Sequence, residues 1–307
     1  MNMAEPISKP TALRGVVRLN EPMGKHVSWR TGGAAARAYA PAGLADLGAF
    51  LAGLPAQEPV CFVGLGSNLL VRDGGFRGTV VLMHDPGGAM RAEGDLVYAD
   101  AGTASPKVAR FAATQGFEGC EFLAGVPGTV GGALAMNAGC YGSETWDVVA
   151  KALTISRAGK LSERSPAEFE TGYRHVELRG VQLGHDEWFA AAWFRFRPGD
   201  SRAARSRIKE LLARRLATQP LELPNAGSVF RNPPGDHAAR LIEAAGLKGR
   251  EIGGARISEK HANFIVNPKG RARAAYIEAL IALARDTVAK RFGVELVPEV
   301  RIIGEAA

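Results

Sequence analysis

The sequence is poor in cysteine, with only Cys61, Cys120 and Cys140 in 307 residues. No Cys-x-x-Cys pair or ligand-spaced cluster occurs, so neither a redox dithiol nor a metal site is expected. A sparse, odd count suits a reducing compartment better than a disulfide framework, which points to the cytoplasm. No apolar run is long enough to span a bilayer, and no early segment has the parts of a signal peptide. The net charge is +7, yet arginines are spread among acidic residues and form no aromatic-studded basic stripe. Nucleic acid is therefore not an expected partner, and the charge suits an anionic small substrate or simply a basic surface. Standard phosphate-binding fingerprints are missing too. Leu69 stands where a third glycine would complete G-x-G-x-x-G after Gly64 and Gly66, and no Gly-Lys-Ser/Thr follows either glycine-rich stretch. No internal repeat or low-complexity linker is present.

What the chain does have is glycine in two concentrated places. Gly125 to Tyr141, GVPGTVGGALAMNAGCY, holds five glycines and almost no charge. Thr129 is placed to cap a short helix through Ala133 and Ala135, whose first amides are expected to point outward and favour an anion. A glycine-rich turn packed on a neighbour, with no ligand, is the alternative. The second place is VGLGSNLLV, Val63 to Val71, where an apolar strand runs into Gly64-Leu65-Gly66-Ser67-Asn68. Successive amides in such a turn can form an anion-binding concavity. Two phosphate-type loops without either fingerprint suggest a dinucleotide held by a less common fold.

Hydrophobic periodicity predicts helices at Leu44–Leu54, Ser105–Gln115, Arg202–Leu216, Ala238–Ala245 and Ala272–Phe292. Strands are predicted at Val60–Val63, Thr79–Met83, Leu96–Ala99, Lys151–Ile155, Phe189–Phe196, Asn263–Val266 and Leu296–Ile303. The mixture argues α+β. Three segments are expected: a flexible leader over 1–19, a first domain over 20–200 and a second over 201–307, divided where proline, glycine and charge cluster near Pro198 to Arg205. Cys61 reads as a small core residue, and Cys140 either packs or lines a site.

The ordered set VGLGSNLLVRDGGFRG, EFLAGVPGTVGGALAMNAGCYG, TGYRHVEL, NAGSVFRNP, KGREIGGARISEKHANFIVN and VPEVRIIG resembles the MurB family of UDP-N-acetylenolpyruvoylglucosamine reductases, over about Asn20 to Gly304. The resemblance implies a two-lobed flavin-binding fold of the vanillyl-alcohol-oxidase/PCMH type followed by an α+β substrate domain. It implies noncovalent FAD, NADPH as cosubstrate and a UDP-sugar carrying an enolpyruvyl ether. The cofactor residues would be Gly64, Gly66, Ser67, Asn68, Gly125, Pro127, Gly128, Thr129, Gly131, Gly132, Asn137 and Gly139. A monomer is expected.

Carried over position by position, the resemblance makes Arg174 the group that meets the enolpyruvyl carboxylate, Ser228 the proton donor and Glu299 the acid supporting the developing enolate. A guanidinium grips two oxygens at once. Partial burial of Glu299 among apolar neighbours would favour its neutral form. Tyr173, Asn232, Lys248 and His261 are implied substrate contacts, with Lys248 at the diphosphate. Arg214 and Arg215 both lie near another basic contact. The short stretch from Arg174 to Trp188 resembles the form without a tyrosine-bearing lid. Without the resemblance, Arg174 reads as a loop arginine, Ser228 as a turn residue and Glu299 as an edge-strand carboxylate. Two other classes stay open: an oxidase on the same fold with covalent flavin, and a nucleotide-binding protein without catalysis.

Overall fold

The structure, a computed structural model, describes residues 13–307; the first twelve residues of the expected leader lie outside the described residues. The leader's last positions are not loose, because Val16–Pro22 forms a strand paired antiparallel with Ala34–Ala40.

The first lobe is a four-stranded sheet in the order Val16–Pro22, Ala34–Ala40, Phe76–Leu82, Val60–Val63, the last three parallel. Val63, Val80 and Val81 are buried, as parallel strands covered on both faces require. The helix Leu44–Ala52 covers one face through Leu47, Phe50 and Leu51. The loop Gly64–Asn68 leaves the carboxyl end of Val60–Val63, the end at which parallel sheets offer a ligand crevice.

The second lobe is an antiparallel sheet of five strands, ordered Leu161–Arg164, Val149–Ser156, Glu187–Arg195, Leu96–Asp100, Met90–Glu93. Its central strand is buried at every position but Arg195, because Trp188 and Ala190 pack into the first lobe while Phe189, Ala192 and Phe194 pack under helices. The helix Ser105–Thr114 lies in that helical layer through Val108, Ala109, Ala112 and Ala113.

The helix Ser201–Thr218, expected to open the second domain, joins this layer instead. Ala204 and Ile208 are buried in the same core as Val108 and Phe122. Asp200 caps it by accepting from the Arg202 amide at 2.7 Å.

The C-terminal part packs Ala238–Ala244 and Ala274–Phe292 on a small sheet of Glu251–Ile252, Ala255–Ile257 and Ile265–Val266. Ile277, Leu280, Ile281, Ala284 and Val288 form the buried stripe of the long helix, which ends at Gly293 with φ +67°. Trp29 and Leu70 of the first lobe enter this core, and the Trp29 indole donates to the Ile265 carbonyl at 2.7 Å. Two strands are shorter than expected. Only Ile265–Val266 pairs in the sheet, because the Asn263 side chain bonds both the amide and the carbonyl of Phe230. Only Arg301–Ile303 pairs with Leu69–Val71, because Val297 and Glu299 bond Arg231 and Val229 instead.

Candidate active site

The two glycine loops touch. A Cβ on Gly64 would lie 2.2 Å from Thr129 Oγ1, and one on Gly128 would lie 3.2 Å from Ser67 Oγ. Gly66 has φ +59°, and a Cβ there would lie 2.2 Å from the His26 carbonyl. Three glycines of the longer stretch answer to protein packing: Gly125 against Cys140 and Tyr141, Gly131 against Ala101, and Gly139 against Ser143. Gly132 faces more open space.

The expected outward amides of the short helix, Val130–Ala135, are not free. Val130 and Gly131 donate to the carbonyls of Thr103 and Ala101, at 2.8 and 2.9 Å, because the helix start docks against the loop before Ser105. Thr129 stands at the N-cap position, but its side chain makes no capping bond. The free amides lie elsewhere. Those of Leu65, Gly66, Ser67, Asn68, Gly128 and Thr129 have no protein acceptor among the described residues. Two buried hydroxyls nearby, Thr103 Oγ1 and Ser105 Oγ, also lack a partner. This uncharged, donor-rich cradle fits the diphosphate of a dinucleotide such as FAD. The sequence signal for Thr103 and Ser105 is slight, since small hydroxyl residues before a helix read as caps.

Asn137 has another job. Its side chain, 3% exposed, donates to Glu144 at 2.7 Å and to the Gly172 carbonyl at 3.0 Å, and accepts from the Trp146 amide at 3.1 Å. The carbonyls of Asn137 and Gly139 then accept from Arg174 Nη1 and Nη2 at 3.2 and 3.1 Å.

Arg174 sits at the tip of a hairpin formed by Phe169–Gly172 and His175–Leu178, with φ +56°. Its Nε donates to Glu299 Oε1 at 2.7 Å. Glu299 reaches this point because the last strand lies parallel to Leu69–Val71, just after the first glycine loop. Asn68 fixes the junction: its carbonyl accepts from the Arg301 amide at 2.9 Å and its side chain donates to the Glu299 carbonyl at 3.1 Å. The Glu299 amide donates to the Val229 carbonyl at 2.7 Å, which sets the residue next to Ser228 beside it. Arg174 and Glu299, far apart in sequence, are thus brought together at the first glycine loop, with the backbone of the segment carrying Ser228 alongside through Val229. Burial pushes the Glu299 carboxyl above its ordinary range, outweighing the opposing charges of Arg174 and Arg231. Sequence reasoning did not single out Arg231, whose Nη2 donates to the Arg174 carbonyl at 3.1 Å.

Tyr173 and Asn232 meet on the outer side, the Asn232 amide 3.4 Å from the Tyr173 hydroxyl. The Asn232 side chain accepts from the Ala238 amide at 3.1 Å and so holds the start of the helix Ala238–Ala244. Lys248 pairs with Glu243 at 2.8 Å. His261 is half-buried against Phe264, with Nδ1 unpaired, and burial first, then the Lys248 charge, pushes the imidazole below its ordinary range. No contact ties Lys248 or His261 to Arg174, Ser228 or Glu299 among the described residues.

A cleft of about 800 Å³ runs between the glycine loops and the segment leading into Ser228, lined by Lys25, Arg30, Ser67, Pro127, Arg215 and Gly227 among others. Between the two candidate arginines, the structure places Arg215 here. Its guanidinium donates to the Gly125 carbonyl at 2.7 Å, while Arg214 is exposed. Lys260 reaches from the His261 loop to donate to the Leu216 carbonyl at 2.7 Å.

Comparison with known proteins points the same way. Residues 16–164 match the model of an FAD binding domain, and residues 219–303 match the C-terminal domain of UDP-N-acetylenolpyruvoylglucosamine reductase. A UDP-N-acetylenolpyruvoylglucosamine reductase of Thiobacillus denitrificans is 57% identical, covering 95% of this chain and 94% of the relative. One from Nitrosospira multiformis is 56% identical, covering 96% and 90%. The crystal structure of UDP-N-acetylenolpyruvylglucosamine reductase (MurB) from Thermus caldophilus superposes with a TM-score of 0.77 at 29% identity, covering 95% of this chain and 99% of that one.

Proposed function

The chain belongs to the MurB family of UDP-N-acetylenolpyruvoylglucosamine reductases, and we propose that it performs the family's reduction at the cluster of Arg174, Ser228 and Glu299. It is an FAD-containing oxidoreductase that converts UDP-N-acetylglucosamine enolpyruvate to UDP-N-acetylmuramate for peptidoglycan synthesis, with NADPH as hydride source. FAD, when bound, supplies the two-electron carrier between NADPH and the enolpyruvyl double bond.

The protein's own work is charge and proton management. Hydride arrival at the far enolpyruvyl carbon drives negative charge onto the substrate carboxylate. Arg174 is held by three acceptors at 2.7–3.2 Å and is preorganised to meet that charge. A substrate carboxylate arriving at the guanidinium competes with Glu299 for it. That weakens the larger of the two arginine influences opposing burial, so Glu299 becomes a neutral donor to the enolate. Ser228 gives its hydroxyl proton to the adjacent carbon and is then reprotonated from water reaching the open cleft.

The amides of Leu65 to Asn68, Gly128 and Thr129 hold the FAD diphosphate in this reading, and Asn137, Gly125, Gly131 and Gly139 shape its surroundings. Lys248 and His261 receive the UDP part in the second domain, which begins after Thr218. All three reacting groups come from one chain, so a monomer is complete as a catalyst. Both substrates are cytoplasmic nucleotides and no helix among the described residues is long and apolar enough to cross a membrane, which supports a cytoplasmic enzyme. A covalent-flavin oxidase is disfavoured, because burial pushes the nearby Cys140 thiol up to about 11 and its Sγ is bonded to the Phe122 carbonyl at 3.0 Å.

The observation that carries the reading is the 2.7 Å contact between Arg174 and Glu299, with the Glu299 amide bonded to Val229, the residue after Ser228. The test separates the half-reactions. Ser228→Ala should bleach with NADPH at the wild-type rate, yet reoxidise with the enolpyruvyl substrate about a hundredfold more slowly. Ser228→Cys should recover part of the rate. Reoxidation of Ser228→Ala as fast as wild type would remove Ser228 as the donor.

A further inference from the structure

Arg174 occupies a backbone conformation that a residue with a side chain rarely adopts, φ +56°, at the tip of a tight hairpin. A glycine would relax the turn but would forfeit the guanidinium. Such strain persists only where the surroundings over-determine it. The restraints fall on both sides. The side chain is held by Glu299, Asn137 and Gly139, and the backbone carbonyl of Arg174 is held by Arg231 at 3.1 Å. Arg231 is itself fixed by its amide, which donates to the Val297 carbonyl at 2.9 Å, two residues before Glu299. It follows Ser228 by three positions. One short segment therefore carries Ser228 and bonds the backbones of both Arg174 and Glu299.

Arg231 is also unusual electrostatically. It has no carboxylate within 4.0 Å among the described residues, and its Nε is buried without a partner. A cation kept half-buried and unpaired is costly for a purely structural tie, since a neutral donor could bond a carbonyl equally well.

We infer that Arg231 is a positioning residue for the reduction, locking the Arg174 hairpin tip onto Glu299 and adding a second positive charge on the side where the enolate forms. The inference rests on the assignment of Arg174 and Glu299 as reacting groups. The charged groups around Glu299 are Arg174 from the hairpin and Arg231 from the Ser228 segment, with Glu144 lying 3.9 Å from Arg174 behind it. Both arginines favour the ionised carboxyl and burial opposes them. Removing the Arg231 charge therefore raises the Glu299 carboxyl further, and the neutral acid survives to higher pH.

The test uses FAD-loaded enzyme and follows flavin absorbance through each half-reaction across pH, in wild type, Arg231→Gln, Arg231→Lys and Glu299→Gln. NADPH bleaching should be unchanged in both Arg231 variants. Substrate reoxidation in Arg231→Gln should fall about tenfold to a hundredfold, the usual cost of a misplaced reacting group, with its alkaline limb moved to higher pH. Arg231→Lys keeps the charge but not the fork, so it should keep the wild-type limb with an intermediate rate. An unmoved limb in Arg231→Gln overturns the inference. If that variant fails to bind FAD, wild-type reoxidation in Arg231→Lys overturns it alone. A limb that survives in Glu299→Gln overturns the underlying assignment instead, and the Arg231 inference with it.

Discussion

Replacing Arg174 by lysine preserves its charge and removes its geometry. In the structure the guanidinium uses all three nitrogens, on Glu299 at 2.7 Å, Asn137 at 3.2 Å and Gly139 at 3.1 Å, and its side chain is only 16% exposed. An ammonium on a shorter, rotatable stem satisfies one of these directions and cannot present a fork to two carboxylate oxygens. The carbonyls of Asn137 and Gly139 each lose a charged donor, and half-buried Gly139 can take water in its place, so the fold should survive with a loss of about 1.5–3 kcal/mol for each bond left unreplaced. The rate should suffer more. Losing one preorganised donor to a developing oxyanion costs about 2.7–4 kcal/mol, which is about a hundredfold to a thousandfold. The loss should fall on one half-reaction. FAD content and NADPH bleaching stay at wild-type levels, because neither uses the substrate carboxylate. Stopped-flow flavin absorbance, with NADPH first and the enolpyruvyl substrate second, reads both rates on one sample. Reoxidation at the wild-type rate would refute the role of the fork, and slowed bleaching would mean that Arg174 acts on the flavin site instead.

Gly128→Asp should yield colourless protein that remains folded, because its Cβ meets only Ser67 Oγ at 3.2 Å while the carboxylate opposes a diphosphate; absorbance at flavin wavelengths with a circular dichroism melt checks both. Gly66→Asp is a poorer probe, since its Cβ collides with the His26 carbonyl whether or not FAD binds. Substrate reoxidation should be fastest at low pH and decline as pH rises through the raised Glu299 value, and Glu299→Gln should erase that limb while retaining more activity than Glu299→Ala. The stability linkage has the same sign: the raised carboxyl contributes stability below its unfolded value, and this is lost as pH rises through the folded one, which thermal melts of wild type against Glu299→Gln report. Lys248→Ala should weaken UDP-sugar binding and leave NADPH bleaching alone, the diphosphate being remote from the reacting carbons; unchanged KM for the UDP-sugar would remove Lys248 from the site.

Much of the fold was legible because local pattern and burial agree. The apolar spacing of Ile277, Leu280, Ile281, Ala284 and Val288 gives a helix in any context, and that helix is present within two residues of its expected start. The failures occur where distant backbone competes for the same groups. Leu296 to Val300 reads as strand, yet Pro298 lacks an amide and its neighbours bond the Ser228 segment, so sheet pairing begins only at Arg301. The amides of Val130 and Gly131 read as a free helix start, and only the tertiary position of Ala101 and Thr103 reveals that they are taken. The helix Ser201–Thr218 looks like the start of a domain because proline and charge precede it, while its attachment depends on two buried side chains, Ala204 and Ile208.

For the site, the sequence offered candidate residues and left their mutual geometry unread. Glycine-rich loops announce themselves by composition, but composition does not say which glycine serves a ligand and which makes room for a neighbour. The Cβ positions separate them: Gly125, Gly131 and Gly139 make room, Gly64 and Gly66 let the loops and the His26 segment close on one another, and Gly128 and Gly132 leave space. Asn137 shows how the two functions join. Its side chain is spent on Glu144, Gly172 and Trp146, its backbone takes φ +41°, and its carbonyl then points an acceptor at Arg174. The glycine stretch thus does more than open space for a cofactor. Through the carbonyls of Asn137 and Gly139 it orients Arg174, while the first glycine loop, through Asn68, fixes Glu299 from the other side. In the proposed function the two loops that seat the cofactor also hold the Arg174–Glu299 pair, so a shift in either loop disturbs both together.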